Sequence, residues 1–272
     1  MQRLRSGIIL LGLILCSSGF AATKTVGIYV GNNHFPGFPG YDLQGCINDA
    51  NLYARVLKAT LGEIEEYKLN NVSKGDFLTA LNFAIGRCRA GEVGRLIIAV
   101  SSHGTLLPGP NNTVAGQAIV FSDANSTMTS GVLEDREFRQ LLDQIPASVG
   151  VELLLDTCYS GGATRDLLAK RKALGHARFI PHPAYRPEVN PPPKRVSRNV
   201  GGAAHIADWA ASSEAEKSEE EFLAGEWHGL FTYVWAYNFS QNPQQSRGTL
   251  LKSIQTEIGK ANYSQHPQLL TQ

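Results

Sequence analysis

The chain has 272 residues, 43% hydrophobic and 18% charged, which is enough for one large domain or two small ones with an ample core. A formal net charge of +1 gives no electrostatic reason to expect nucleic acid or an anionic surface as partner. No apolar run reaches the ~20 residues that a membrane-spanning helix needs.

Arg3 and Arg5 precede an apolar run over residues 8–15, which Cys16-Ser17-Ser18-Gly19-Phe20-Ala21 follows. That order is the order of a secretory leader, with Gly19 and Ala21 as the small residues before a cut at Ala21. A buried N-terminal helix or an uncleaved anchor is the structural alternative. Lipid attachment at Cys16 is disfavoured by bulky Leu15. The mature protein is therefore expected in the periplasm or outside the cell, without a membrane anchor and near electrical neutrality. Export leaves Cys46, Cys88 and Cys158, an odd number that keeps at least one free thiol. A Cys46–Cys88 disulfide and three reduced, packed cysteines both stay open.

In chain order, residues 24–31 (KTVGIYVG) read as a β-branched, mostly apolar strand. Ile47, Ala50, Ala54, Leu57 and Leu61 recur at helical spacing, and residues 66–69 suit a short strand. Phe77, Leu78, Leu81, Ala84, Ile85 and Cys88 mark a second amphipathic helix with Ser73 as its N-cap. Residues 95–101 (RLIIAVS) are apolar throughout, as a strand covered on both faces should be. Residues 133–145 read as helix, and 149–155 (VGVELLL) as another buried strand. This alternation predicts an α/β fold with a mainly parallel sheet and helices on both faces.

Composition shifts over residues 165–200, which hold six of the thirteen prolines and nine Lys/Arg against two acids. The stretch reads as an exposed linker. Residues 204–211 follow as strand, 212–221 as a polar, acid-rich loop, and 229–239 and 248–259 as helices.

Reactive groups in open parallel sheets gather beyond the carboxyl ends of the strands. RLIIAVS runs into Ser102-His103-Gly104, and VELLL runs into Asp156-Thr157-Cys158. If these strands are neighbours, an imidazole and a thiol emerge at one edge. A histidine beside a cysteine stabilises the thiolate and creates a nucleophile for acyl transfer. The small residues Gly104, Ser160, Gly161 and Gly162 leave backbone amides open to a developing oxyanion. Taken singly, Cys158 also fits a core thiol and His103 a loop residue. A zinc site is weakly supported, because neither residue has a partner at metal-ligand spacing.

SSHG and DTCYSGG, with VGIYVGNNHFPG, GCINDA, GLFTYVWAYNF and YSQHPQLL, resemble the metacaspase branch of the caspase-like cysteine peptidases. The resemblance runs from Lys24 nearly to the C-terminus and implies a caspase-like sheet of about six strands. It implies His103 as base, Cys158 as nucleophile, and the amides of Gly104 and Cys158 as oxyanion hole. It also implies a specificity pocket lined by Cys46, Asp49, Ser101 and Asp156. Two carboxylates in one pocket suit a Lys or Arg side chain, so cleavage after basic residues is expected. Without that resemblance, Asp49 reads as helix N-terminal charge and Asp156 as a turn acid.

Ser102 and Tyr159 depart from the commonest metacaspase residues at their positions, without loss of the dyad. Many relatives are activated by calcium on clustered acids. Here residues 105–122 contain no acid, and Gly116 and Arg165 stand near two expected acids. No metal site and no cofactor are therefore expected, and Glu134-Asp135 reads as the acidic first turn of a helix.

The implied organisation is a leader (1–21), a large part (22–164), the basic linker (165–200) and a small part (201–272). The linker's Arg165, Lys170, Arg171, Lys172, Arg178, Arg186, Lys194, Arg195 and Arg198 offer exposed sites for self-cleavage, or a solvated loop that is never cut. The expected partners are protein or peptide substrates with basic residues, met by a monomer. The rival expectation is a non-catalytic caspase-fold module that binds basic peptides.

Overall fold

The computed structural model describes residues 23–110, 114–158, 176–184, 205–213 and 216–271. The expected leader, Tyr159 to Gly162, and the linker apart from residues 176–184 lie outside these. Among the described residues no helix is long and apolar enough to cross a membrane.

Strand β1 (Lys24–Gly31) leads through a Gly/Pro loop into helix α1 (Cys46–Leu61), which stops at Gly62 with φ +85°. Strand β2 (Glu65–Asn70) follows, and then helix α2 (Lys74–Arg89). The predicted cap at Ser73 is present as a capping box: Ser73 accepts from the Asp76 amide while Asp76 accepts from the Ser73 amide. Strand β3 (Val93–Ser101) is followed by an antiparallel set of β4 (His103–Pro108), β5 (Val114–Val120) and β6 (Val132–Glu134).

Helix α3 (Asp135–Leu142) is shorter than the predicted 133–145, because Val132 to Glu134 pair with β5 instead. Glu134 takes the N-cap position without a side-chain bond, and Asp135 opens the helix. Strand β7 (Gly150–Asp156) comes next, followed by the two-residue strand β8 (His176–Ala177) inside the linker and strand β9 (Ile206–Ala210). The predicted acidic loop over 212–221 in fact runs into strand β10 (Glu219–Leu223), which pairs with β11 (Glu226–Gly229) and β8. Helices α4 (Leu230–Gln241) and α5 (Arg247–Lys260) and strand β12 (Gln268–Thr271) complete the chain.

The main sheet has the order β12-β9-β7-β3-β1-β2, with every pair parallel except β12 with β9. Alternation along each strand divides the interior into two cores. Val26, Ile28, Val30, Leu96, Ile98, Val100, Leu153 and Leu155 face α2 and α3. Tyr29, Ile97, Ala99, Leu154 and Trp209 face α1, α4 and α5. Phe77 anchors the first core, with its ring 5.2 Å from Phe121 and 5.8 Å from Phe138. The same alternation decides where the strand ends point. Ser101 continues the face of Ala99, Asp156 continues that of Leu154, and the two are in register. Both therefore arrive beneath the N-terminal turn of α1.

Cys46, Cys88 and Cys158 are all buried and none is in a disulfide, so the Cys46–Cys88 bridge is not formed.

Candidate active site

His103 is the first residue of β4, two positions past the end of β3, and Cys158 lies two positions past the end of β7. Since β3 and β7 are hydrogen-bonded neighbours, both groups emerge at one sheet edge, and both are buried. The His103 Nε2 atom lies 2.6 Å from the carbonyl oxygen of Tyr41. A carbonyl only accepts, so Nε2 carries the proton and Nδ1 is the basic nitrogen of the neutral ring. Phe35 packs on the imidazole with ring centres 4.7 Å apart, and Tyr41 meets it edge-on at 6.2 Å.

The loop that presents the Tyr41 carbonyl is held internally. The amides of Asn33 and His34 donate to Asn71 Oδ1, and the Phe35 amide donates to Asp42 Oδ1. That amide and the nearby His34 ring hold the Asp42 carboxyl below its ordinary range. The Cys158 thiol donates to the Glu216 carbonyl at 3.4 Å.

The edge is filled by the chain itself. Arg178, expected in an exposed linker, is fully buried, as are Phe179 and Ile180. The composition of the linker as a whole hid this ordered stretch. The Arg178 carbonyl oxygen accepts from the Gly104 amide at 2.9 Å and from the Cys158 amide at 3.2 Å. These are the two amides predicted as an oxyanion hole. The Arg178 amide donates to the Ser218 carbonyl at 3.0 Å, and β8 extends this pairing along β10. Residues 176–178 thus lie as an added antiparallel strand, the way extended peptides bind sheet edges.

The Arg178 guanidinium enters the predicted pocket. Its Nη2 donates to Asp49 Oδ2 at 2.6 Å, and its Nη1 donates to Ser101 Oγ and lies 3.2 Å from Asp156 Oδ1. Glu220, from the stretch predicted as a polar, acid-rich loop, stands 3.6 Å from Nη2 as a third carboxylate. Glu220 also accepts from the Gln44 and Gly45 amides, each at 2.9 Å, and so fixes the entry to α1. Ser218 and Glu220 are both buried in a stretch of period 2, a signal hidden by the run of four acids and lysine around them.

Burial works against the charge on Arg178, yet the carboxylates of Asp156, Asp49 and Glu220 hold its pKa well above the ordinary value. Cys46 lies in the same wall. Burial pushes its thiol well up, and although Arg178 opposes this, the three acids add to it. It is an apolar lining group.

The pocket acids also organise α4, whose N-cap is Gly229. The Gly229 amide donates to Asp49, and the Thr232 amide and hydroxyl donate to Asp156 Oδ2 at 3.2 and 2.6 Å. Two carboxylates from elsewhere thus satisfy the amides at this helix end, where its dipole favours negative charge. His228 donates from Nδ1 to Asp49 at 3.0 Å. A side chain at Gly229 would not fit, since its Cβ would lie 2.1 Å from Asp156 Oδ2 and 2.6 Å from Arg178 Nη1.

A six-stranded, mostly parallel sheet with a histidine and a cysteine at adjacent strand ends defines a caspase-like fold. The chain belongs to the caspase-domain family of peptidases, whose sequence profile matches residues 25–272. It is 25% identical to metacaspase-1 of Coccidioides immitis over 90% of this chain and 61% of that protein. It is likewise 25% identical to metacaspase-1 of Ajellomyces capsulatus, over 90% of this chain and 79% of the relative. The chain thus spans about three fifths to four fifths of these relatives' lengths. Solved structures share the fold as well. Caspase-1 of Spodoptera frugiperda superimposes with TM-score 0.61 at 14% identity, over 92% of this chain and 88% of that one. A protein of Geobacter sulfurreducens gives 0.63 at 16% identity, over 91% and 93%.

Proposed function

We propose that the chain is an exported cysteine endopeptidase of metacaspase type that cuts after arginine or lysine, and that its own Arg178–Phe179 bond is a substrate. One observation carries the reading: the Arg178 carbonyl oxygen receives both the Gly104 and Cys158 amides while its guanidinium sits among three acids. These contacts support the reading that the Arg178 acyl group is the one transferred to the Cys158 thiol.

In the proposed reaction, Nδ1 of His103 takes the Cys158 proton and the thiolate attacks the Arg178 carbonyl carbon. The developing oxyanion stays on the two amides, which act before any reorganisation is needed. The C–N bond then breaks as His103 returns the proton to the Phe179 nitrogen. Water, deprotonated by His103, hydrolyses the Arg178 thioester and frees the Cys158 thiol. Nucleophile, base and oxyanion donors all come from this chain. In trans, a substrate's basic side chain would replace Arg178, because removing one partner of a buried ion pair without replacement costs about 3–5 kcal/mol.

The test is hydrolysis of peptides with Arg, Lys or Asp before the reporter bond, under reducing conditions, with and without calcium. Wild type should cut the Arg and Lys peptides and spare Asp, and Cys158→Ala should cut none. Absence of turnover in every case would contradict the reading and favour a module that only docks basic peptides.

A further inference from the structure

We infer that the cleft holds a built apolar site for the two residues after the cut, so that its substrate class is arginine followed by two large aromatic or aliphatic residues. The inference rests on the peptidase reading above and adds the primed side to it. Gly104 is the centre of this site. Its amide donates to the Arg178 carbonyl, and its own carbonyl accepts from the Ile180 amide at 3.0 Å. Phe179 bridges in parallel to Gly104, so the chain beyond the cut runs beside β4 as a bound strand.

The side chains of both residues are sequestered. Phe179 is 2% exposed and joins the core that includes Cys158, while Ile180 is 1% exposed. Ile180 clusters with Phe35, Phe38 and Leu43 from the loop after β1, and with Val120 and Met128 from the region of β5. Phe35 also packs on His103, which ties this site to the base. Two residues further on, His182 forms part of the wall of a cavity of about 660 Å³ shared with Leu107, Gln117 and Glu137.

The sequence supplies an independent observation. Of the nine basic residues between 165 and 200, Arg178 alone is followed directly by two large apolar side chains. Arg186 precedes proline, Arg165 precedes aspartate, and Arg195 is followed by Val196-Ser197. A pocket that read only the basic residue would have little ground to choose among them. A primed site that must be filled by apolar groups selects one.

The experiment compares self-processed enzyme on peptides that share an arginine and differ only after it: Arg-Phe-Ile, Arg-Ser-Gly and Arg-Asp-Asp. The expected result is kcat/KM at least about tenfold higher for Arg-Phe-Ile, the scale of discrimination a hydrophobic pocket provides. In the full chain, replacing Phe179 by Ser and Ile180 by Gly while keeping Arg178 should slow self-cleavage by a similar factor. Equal turnover of the three peptides would overturn the inference and leave the peptidase reading intact. Failure to cut any arginine peptide would overturn both.

Discussion

At the scale of single residues, the proposed reading makes Gly229 and Glu220 the positions that set what the pocket accepts. Gly229→Ala would place a methyl group where the guanidinium now lies against Asp156. We expect kcat/KM for arginine peptides to fall at least about a hundredfold, the order at which a blocked pocket discriminates. Steady-state kinetics, with thermal melting as a fold control, checks this. Unchanged kinetics would mean that arginine enters elsewhere. Glu220→Gln removes the third charge near Nη2 and one of two acceptors for the Gln44 and Gly45 amides. Hydrogen bonds to charged groups contribute about 1.5–3 kcal/mol, so KM for arginine substrates should rise about tenfold. A fall in kcat with KM unchanged would instead assign Glu220 to the chemistry.

Among secondary-structure elements, what the sequence revealed and what it concealed have separate physical causes. Strands β1, β3 and β7 were legible because strands covered on both faces are apolar runs, and α2 because Ser73 and Asp76 form its cap within four residues. Strand parity even explains why Ser101 and Asp156 share a face with Asp49 above them. The β4–β5–β6 set, β10 and β11 are not legible, although each pairs with a neighbour close along the chain, because their strands are short, lack a long apolar run and in β10 are crowded with acids. Arg178 was named only as one of nine exposed cations. Its burial depends on contacts with residues 49, 101, 156 and 220, which no local pattern reports.

Two predictions belong to elements. Ser73→Ala should destabilise α2 by about 1 kcal/mol, the usual cost of losing such a cap, read as a lowered denaturation midpoint. No change would mean that packing alone sets this helix start. Arg87 on α2 bonds Glu65 on β2 at 2.6 Å and, with help from Tyr67, lowers its pKa to about 2. A depressed carboxyl stabilises the fold above its unfolded value of 4.5 and loses that contribution as pH falls through about 2. Glu65 is 37% exposed, so screening limits the effect to about 0.5 kcal/mol. Glu65→Gln should therefore melt lower than wild type at pH 6 and match it near pH 2. A difference that persists in acid would contradict this account.

For the whole molecule, Arg178 joins parts of the chain that are distant in sequence. It binds Asp49 on α1, the ends of β3 and β7, and Glu220 on β10, while β8 pairs with β10. The uncut linker therefore contributes to the fold and at the same time blocks the pocket. On the proposed reading, exchange of Arg178 for a substrate's basic residue would link processing to access, since the three acids would be left without their cation when it departs. The central claim is that this seated segment is a substrate. The most direct measurement is intact mass and N-terminal sequencing of purified full-length wild type beside Cys158→Ala. The account predicts that wild type yields a new N-terminus at Phe179 and that the variant stays whole. A wild-type chain that stays intact under reducing conditions, or the same cut in Cys158→Ala, would contradict it.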